Sequence, residues 1–234
     1  MYDLNFKRIE DQKAFLQKAA YSKPYHKFRK RMAYNKFSLM EVVEKFDLKI
    51  VDCQSVVVDP KPHPPSDFLL TALKKGTSRA LKIDTEKARS EFIVAPILLE
   101  LQEVMKDEIS LFSGIDFTVD KQQGLSGRCD FIISLDHEDR FLTAPVITIV
   151  EAKNDNVNRG LGQCIAEMLA AQIFNRQRGR NLEAIYGTVT TGTVWKFLKL
   201  QGQTVFIEES ERAFSVERNV DELLGILLKM LDKD

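Results

Sequence analysis

The stretch Pro145-Val-Ile-Thr-Ile-Val-Glu-Ala-Lys153 decides the fold, because five β-branched residues run without interruption into an acid and a base. A continuous run such as Val146–Val150 is typical of a strand that is buried on both faces of a sheet. Side chains alternate between the faces of a strand, so Glu151 and Lys153 point the same way and Ala152 points the other way. The sequence therefore predicts a carboxylate and an ammonium group side by side at the end of a buried strand.

An earlier predicted strand, 127–135, carries a second acid, Asp130. One face of this strand is apolar and Asp130 lies on the other; the apolar face consists of Phe131, Ile133 and Leu135. If this strand pairs with the 145–153 strand, Asp130 and Glu151 converge at one end of the sheet. Two carboxylates and a main-chain carbonyl, here that of Ala152, form a partial oxygen shell of the kind that holds Mg²⁺, or Mn²⁺, together with waters.

The rest of the chain supplies helices and further strands around this pair. Extended structure is predicted at 48–58, 110–119, 184–189, 194–200 and 205–207. Two helices are predicted from their caps, one starting at the capping box Ser38–Glu41 and the last at Asn219. A short helix is predicted over 67–75, and an amphipathic helix over 158–175. A long helix is predicted from Asp84, with a break at Pro96. The order helix, three strands, helix, strands, helix predicts an α/β fold in which a mixed central β-sheet is flanked by α-helices.

This arrangement of Asp130, Glu151 and Lys153 resembles the site of the PD-(D/E)xK nuclease superfamily, which has the restriction-endonuclease-like fold. The resemblance covers about residues 84–200. It implies that Asp130, Glu151 and the Ala152 carbonyl bind Mg²⁺ or Mn²⁺ and that Lys153 supports the attacking water. The implied protein is a Mg²⁺-dependent deoxyribonuclease that hydrolyses phosphodiester bonds.

Within that superfamily the chain is most similar to the N-terminal nuclease domain of type I restriction motor subunits. That domain carries a glutamate in the helix before the sheet, followed by a proline and leucines, matched here by Glu91, Pro96, Leu98 and Leu99. The resemblance makes Glu91 a further acidic site residue and Gln163 a supporting residue. The exonuclease-like branch has a tyrosine four residues after this glutamine, whereas this chain has Glu167 there. Cys129 stands where the superfamily name has proline.

Sequence context, rather than the tripeptide itself, supports this interpretation. An Asp or Glu two positions before a Lys occurs four times, starting at Asp11, Asp47, Asp59 and Glu151. Of these, only the copy at Glu151 follows a continuous apolar strand and precedes a helix. One alternative is a salt bridge between Lys153 and the two acids on an inert sheet. The alternative function is a catalytically silent or partner-dependent module that binds nucleic acid or protein through the same fold.

The composition is that of a folded chain. Its 234 residues include 34 Lys+Arg against 34 Asp+Glu, and 44% are hydrophobic, which argues against disorder. No apolar run reaches the roughly 18 residues of a membrane span, and the first residues lack the apolar stretch of a signal peptide. A cytoplasmic location without membrane association is expected. The three cysteines are expected to be reduced packing residues.

The first 36 residues are strongly basic, with ten Lys+Arg against three Asp+Glu, a net charge of +7. Aromatic residues are interleaved with this basic cluster, which contains Lys27, Arg29, Lys30 and Arg31. Such a composition is able to contact phosphates and stack on bases, although a solvated basic helix explains it equally. The prolines of 59–65 predict a boundary between an N-terminal appendage, 1–65, and a nuclease domain, 66–234.

Other features of the sequence give weaker indications. Arg176 and Arg178 follow the helix that bears Gln163, where they would either contact a DNA backbone or complement the helix dipole. The three histidines are too scattered to form a zinc site. The expected partners are DNA, with RNA left open, and a second copy of the chain or a larger restriction- or repair-type complex.

Overall fold

The computed structural model describes residues 33–106, 108–136, 140–215 and 218–232. The described strands are β1 (Lys49–Cys53), β2 (Ser110–Asp120), β3 (Leu125–Ser134), β4 (Val146–Ala152), β5 (Ile185–Thr190), β6 (Val194–Gln201), β7 (Thr204–Glu208) and β8 (Arg212–Ala213). The described α-helices are α1 (Leu39–Phe46), α2 (Asp67–Ile83), α3 (Glu86–Arg89), α4 (Ala95–Met105), α5 (Leu161–Gln177) and α6 (Val220–Met230).

The strands form one mixed sheet in the order β1-β7-β6-β5-β4-β3-β2, and the short β8 pairs with β6. β4 runs antiparallel to β3 and parallel to β5. Its burial on both faces is confirmed, because Val146 belongs to one apolar core and Val150 to the other. Residues of α1 and α5 build the first core, and residues of α2, α4 and α6 build the second. The α/β class, with a mixed central sheet and flanking helices, is therefore confirmed.

Pro96 breaks the long helical pattern that starts at Asp84, as the sequence predicts. The break takes the form of a π-helical turn, Ser90–Val94, between α3 and α4. A proline has no N–H, and its ring clashes with the carbonyl four residues earlier in a regular helix. The chain avoids this clash by widening the preceding turn, in which the Ala95 amide donates to the Ser90 carbonyl five residues back.

The helix after β4 is not amphipathic as predicted but is buried around most of its circumference. The reason is that α1 and the 3₁₀ turn Tyr34–Lys36 cover its outer face. The approach is closest at Gly162, where a Cβ atom would lie 2.4 Å from the Phe37 carbonyl oxygen. A helix sandwiched between a sheet and a second layer needs apolar residues on both sides.

The chain before residue 65 contributes to the same sheet as the chain after it. β1 is an edge strand of the same sheet, paired in parallel with β7. The proline-rich segment lies against α6, with the His63 amide donating to the Asp221 carbonyl at 3.0 Å. Residues 33–65 are thus part of the same compact unit as the rest. Residues 1–32 of the predicted appendage lie outside the described residues.

Most other predicted elements are confirmed with shifted ends. The helix from Asp67 continues to Ile83, well past the predicted end at residue 75. The capping box is present, with the Glu41 amide donating to Ser38 Oγ at 3.2 Å. Asn219 does not cap α6, since its Oδ1 accepts from the Ser215 amide instead.

The described cysteines are free thiols, as expected. Over the described ranges, the helices are too short or too polar to cross a membrane.

We expect Gly162→Ala to lower the free energy of unfolding by about 1 to 3 kcal/mol, the usual cost of overpacking. The added methyl group would meet backbone atoms of Phe37 and Ser38, which cannot rotate away as a side chain can. Urea unfolding measures the change, with the exposed α5 position Gln177→Ala as control. A value within about 0.5 kcal/mol of wild type would contradict this packing of residues 34–46 on α5.

Candidate functional site

The site forms where β3 and β4 end together. Phe131 pairs with Val150, so the next position along the two antiparallel strands sets Asp130 opposite Glu151. The Ala152 amide donates to Asp130 Oδ2 at 2.9 Å. In an extended strand the N–H and C=O of one residue point to the same side, so the Ala152 carbonyl also faces Asp130. The Asp130 carboxylate thus lies beside the end of β4, the strand that carries Glu151 and Ala152.

Lys153 lies at the centre of the cluster. Its Nζ donates to Glu151 Oε1, lies 3.5 Å from Gln163 Oε1, and is 3.9 Å from Glu86 Oε2. Its backbone is fixed by β5, because its amide donates to the Thr190 carbonyl at 2.7 Å. The lysine side chain is 17% exposed, so it is mostly but not fully buried.

Gln163 and Glu167 extend the cluster along α5. Gln163 Nε2 donates to Glu167 Oε1 at 3.0 Å, which turns Gln163 Oε1 toward Lys153. Glu167 and Cys129 are both completely buried. The two departures from the superfamily pattern are close enough to interact: burial, and then the charge of Glu167, raises the pKa of the Cys129 thiol.

Burial dominates the electrostatics of the carboxylates. Desolvation raises the pKa of Asp130, although the Ala152 amide and Lys153 act in the opposite direction. The pKa of Glu151 lies well above its usual range, first because of burial and then because Glu167 and Asp130 are close. Burial raises the pKa of Glu167 to about 8, even though the hydrogen bond from Gln163 favours its ionised form.

Lys153 is the positive charge at the centre of these three carboxylates. Desolvation acts to lower the pKa of Lys153, but the charge and hydrogen bond of Glu151 overcome it and the pKa is raised. Glu151 Oε2, Glu167 Oε2 and the Tyr34 hydroxyl are buried and have no hydrogen-bond partner. Buried polar atoms are normally paired, so the cluster has unused oxygen atoms and more negative than positive charge.

Asp130 also lines an open cleft of about 370 Å³. Glu91 lies on its wall, 52% exposed, and pairs with Lys87 at 2.7 Å rather than with Lys153. Glu91, which the sequence indicated as a site residue, thus lies in the same cleft as Asp130. The acid that approaches Lys153, however, is Glu86. Two cations, Lys87 and Arg128, share the cleft walls.

Sequence reasoning missed Glu86. Thr85 caps α3, since its Oγ1 accepts from the Ala88 amide at 3.1 Å, and Glu86 follows in the first turn. Arg89 then holds α3 over the end of β5, because its Nη1 donates to the Thr191 carbonyl at 3.2 Å. The Thr-Glu cap was visible in the sequence, but the contact between Arg89 and a distant carbonyl was not.

Arg176 and Arg178, two of the predicted nucleic-acid contacts, lie away from this site. Arg176 lies about 20 Å along α5 from Gln163, at roughly 1.5 Å per residue, and Arg178 follows it. Arg178 stacks on the Phe174 ring, 3.5 Å from its centroid. The basic cluster of Lys27, Arg29, Lys30 and Arg31 lies outside the described residues.

The donor set fits a magnesium-type ion better than a zinc-type ion. Nowhere in the described ranges do three His, Cys, Asp or Glu side chains come together in a metal-holding group. Two carboxylates and one carbonyl nevertheless suit Mg²⁺ or Mn²⁺, which bind hard oxygen atoms and keep several waters. The unpartnered Glu151 Oε2 is consistent with such an ion.

No protein-family model matches this sequence, and no curated protein is significantly similar to it.

We expect Glu167→Gln to stabilise the protein at high pH. The carboxyl ionises near pH 4.5 when unfolded and near 8 when folded, so wild type loses stability as the pH rises through that window. Glutamine does not titrate, so the variant gains up to about 5 kcal/mol over wild type as the pH rises to 8, and nothing below pH 4.

Urea unfolding in metal-free buffer across this pH range measures the effect. Glu44→Gln, at an exposed position of α1, is the matched control and is expected to follow wild type. Parallel pH profiles for Glu167→Gln and wild type would contradict the burial of an ionisable group at this position.

Proposed function

We propose that this protein is a metal-dependent nuclease that hydrolyses phosphodiester bonds. One observation supports it most: the carboxyl groups of Asp130, Glu151 and Glu167 lie close enough to influence one another at the end of a buried strand, and Lys153 is the ammonium group that pairs with Glu151 there. Such an excess of buried negative charge destabilises a fold unless protons or a cation compensate it. A divalent ion on the Asp130 and Glu151 carboxylates and the Ala152 carbonyl would supply that compensation.

Each residue of the cluster has a definite role in this proposal. Mg²⁺ or Mn²⁺, when bound, would polarise the phosphate and make water a stronger nucleophile. Lys153, whose side chain is mostly but not fully buried, positions the attacking water and stabilises negative charge developing on the phosphate. Gln163 keeps Lys153 in place through its Oε1. Glu86 adds a weaker contact to Lys153 from the solvent side.

The proposed substrate is DNA, with RNA left open, and the cleft beside Asp130 is where it would enter. Lys87 and Arg128 on the cleft walls are able to contact phosphates there. A cytoplasmic location and assembly as a dimer or in a larger restriction- or repair-type complex belong to the same proposal.

A partner-dependent or catalytically silent binding module is the second candidate function. The cleft walls favour it, because Glu86, Glu91 and Asp130 outnumber Lys87 and Arg128. A protein that binds a duplex tightly needs a clearly positive surface. In this alternative, a second subunit or the basic N-terminal residues supply the missing positive charge.

We expect Asp130→Asn and Lys153→Ala to lower the rate of DNA cleavage by about 100-fold or more, since both remove groups that act on the reacting atoms. Supercoiled plasmid and linear single-stranded DNA are incubated with Mg²⁺ or Mn²⁺, and the products are separated on gels. Asparagine still accepts the Ala152 amide hydrogen bond, so Asp130→Asn keeps the local fold.

Asp155→Asn is the matched control, because Asp155 lies two residues beyond Lys153 and pairs with Arg159 on the surface. It is expected to cleave like wild type. A folded wild-type protein that binds DNA but does not cleave it would favour the binding module. Equal activity in Asp130→Asn and wild type would eliminate this site.

A separate comparison tests which glutamate assists Lys153. Glu86→Gln is expected to reduce cleavage by roughly two- to fivefold, the factor that corresponds to an exposed ion pair. Glu91→Gln, in the same cleft but paired with Lys87, is expected to leave the rate unchanged. Initial cleavage rates at saturating metal decide between the two glutamates. A larger loss of rate in Glu91→Gln than in Glu86→Gln would contradict the assignment of Glu86 as the residue that assists Lys153.

A further inference from the structure

A cavity of about 710 Å³ lies beside the second apolar core. Its walls come from α2, the π-helical turn, the β5–β6 turn and the start of α6. Well-packed interiors leave few voids larger than a water molecule, whereas small-molecule sites span about 300 to 1,000 Å³. This volume is therefore that of a binding site rather than a packing defect.

The chemistry of the walls limits what can bind. The interior is apolar, with Leu73, Ile97, Phe214 and Leu223 among its residues. Lys74 and Lys82 also line it, and among the described residues no acid does. An apolar chamber with positive charge and no negative charge favours an apolar molecule that carries an anionic group.

The positive groups lie in a row at the mouth. Lys74, Ser78 and Lys82 follow one another at intervals of four residues on α2 and so share one helix face. Both lysines are exposed at their ends. Deeper in the cavity, Thr77 Oγ1 is buried without a hydrogen-bond partner. The cavity thus offers cations at its mouth and one unused hydroxyl group inside.

We propose that this cavity binds an amphipathic anion of the fatty-acid type, with its apolar chain inside and its carboxylate between Lys74 and Lys82. The charge of residues 1–32 argues against this segment of the same chain as the molecule that fills the cavity. Residues 1–36 carry a net charge of +7, which the two lysines would repel. This proposal is independent of the nuclease proposal, because none of the cavity residues belongs to the Asp130–Glu151 cluster.

The protein carries its own reporter for this cavity. Trp195 is the single tryptophan in the sequence, and its Nε1 donates to the Gly192 carbonyl at 3.0 Å. Gly192 lines the cavity, so the indole lies directly behind the cavity wall. A ligand that fills the cavity is expected to change the emission of Trp195.

The test is a titration of the full chain with dodecanoate, kept below the concentration at which it forms micelles. Trp195 emission gives the binding curve, and calorimetry gives the stoichiometry. We expect saturable binding of one dodecanoate per chain. Dodecyltrimethylammonium, which has the same chain and the opposite charge, is expected to bind at least about tenfold more weakly.

Exposed charges provide variants that leave the core intact. The double variant Lys74→Glu, Lys82→Glu is expected to weaken dodecanoate binding by about tenfold or more. Lys75→Glu is the matched control, because Lys75 is exposed on the same helix but does not line this cavity. Its affinity is expected to equal that of wild type. Circular dichroism verifies that each variant is folded.

Three results would each overturn the proposal. The first is the absence of saturable dodecanoate binding to the wild-type chain. The second is unchanged affinity in the double lysine variant. The third is binding of dodecyltrimethylammonium that is as tight as that of dodecanoate, or tighter. That result would mean that the cavity accepts apolar groups next to positive charges, such as the apolar side chains of residues 1–32.

Discussion

The burial of the Glu151 carboxylate at the end of β4 is the constraint on which the site depends. Only 1% of this side chain is exposed, and one of its two oxygen atoms contacts Lys153. A buried carboxylate is stabilised by a partner of opposite charge, but here Glu167 and Asp130 add negative charge nearby. The cluster therefore holds either extra protons or a bound cation. Protonated carboxyl groups would fit an inert sheet, whereas a bound cation would fit a metal-dependent enzyme.

Helix α5 links this constraint to the rest of the fold. Its first turns carry Gln163 and Glu167, which face the cluster, while its other side packs on Tyr34 and α1. The close approach at Gly162 leaves no space for a side chain between α5 and residues 37–38. Residues 34–46, which precede β1, thereby hold α5 in place, and α5 carries the Gln163 that contacts Lys153. The site therefore needs the N-terminal part of the described chain.

Local sequence patterns predicted much of this structure. The β-branched run before Glu151 predicted a central strand, and the alternation of Phe131 and Ile133 predicted their burial in one apolar core. What could not be predicted depends on contacts between distant segments. Glu86 reaches Lys153 because Arg89 binds a carbonyl about a hundred residues away. The packing of the proline-rich segment against α6 was not predicted for the same reason, since prolines indicate a stiff segment but not what it packs against.

The central claim is that Asp130 and Glu151 hold a divalent cation, and Mn²⁺ binding tests it most directly. Electron paramagnetic resonance measures free Mn²⁺ as wild type and Glu151→Gln are titrated in parallel. The account predicts one Mn²⁺ per chain in wild type and a loss of affinity of about 10-fold or more in the variant. A wild-type protein that binds no Mn²⁺, or a variant that binds it equally well, would show that protons and Lys153 alone balance the charge.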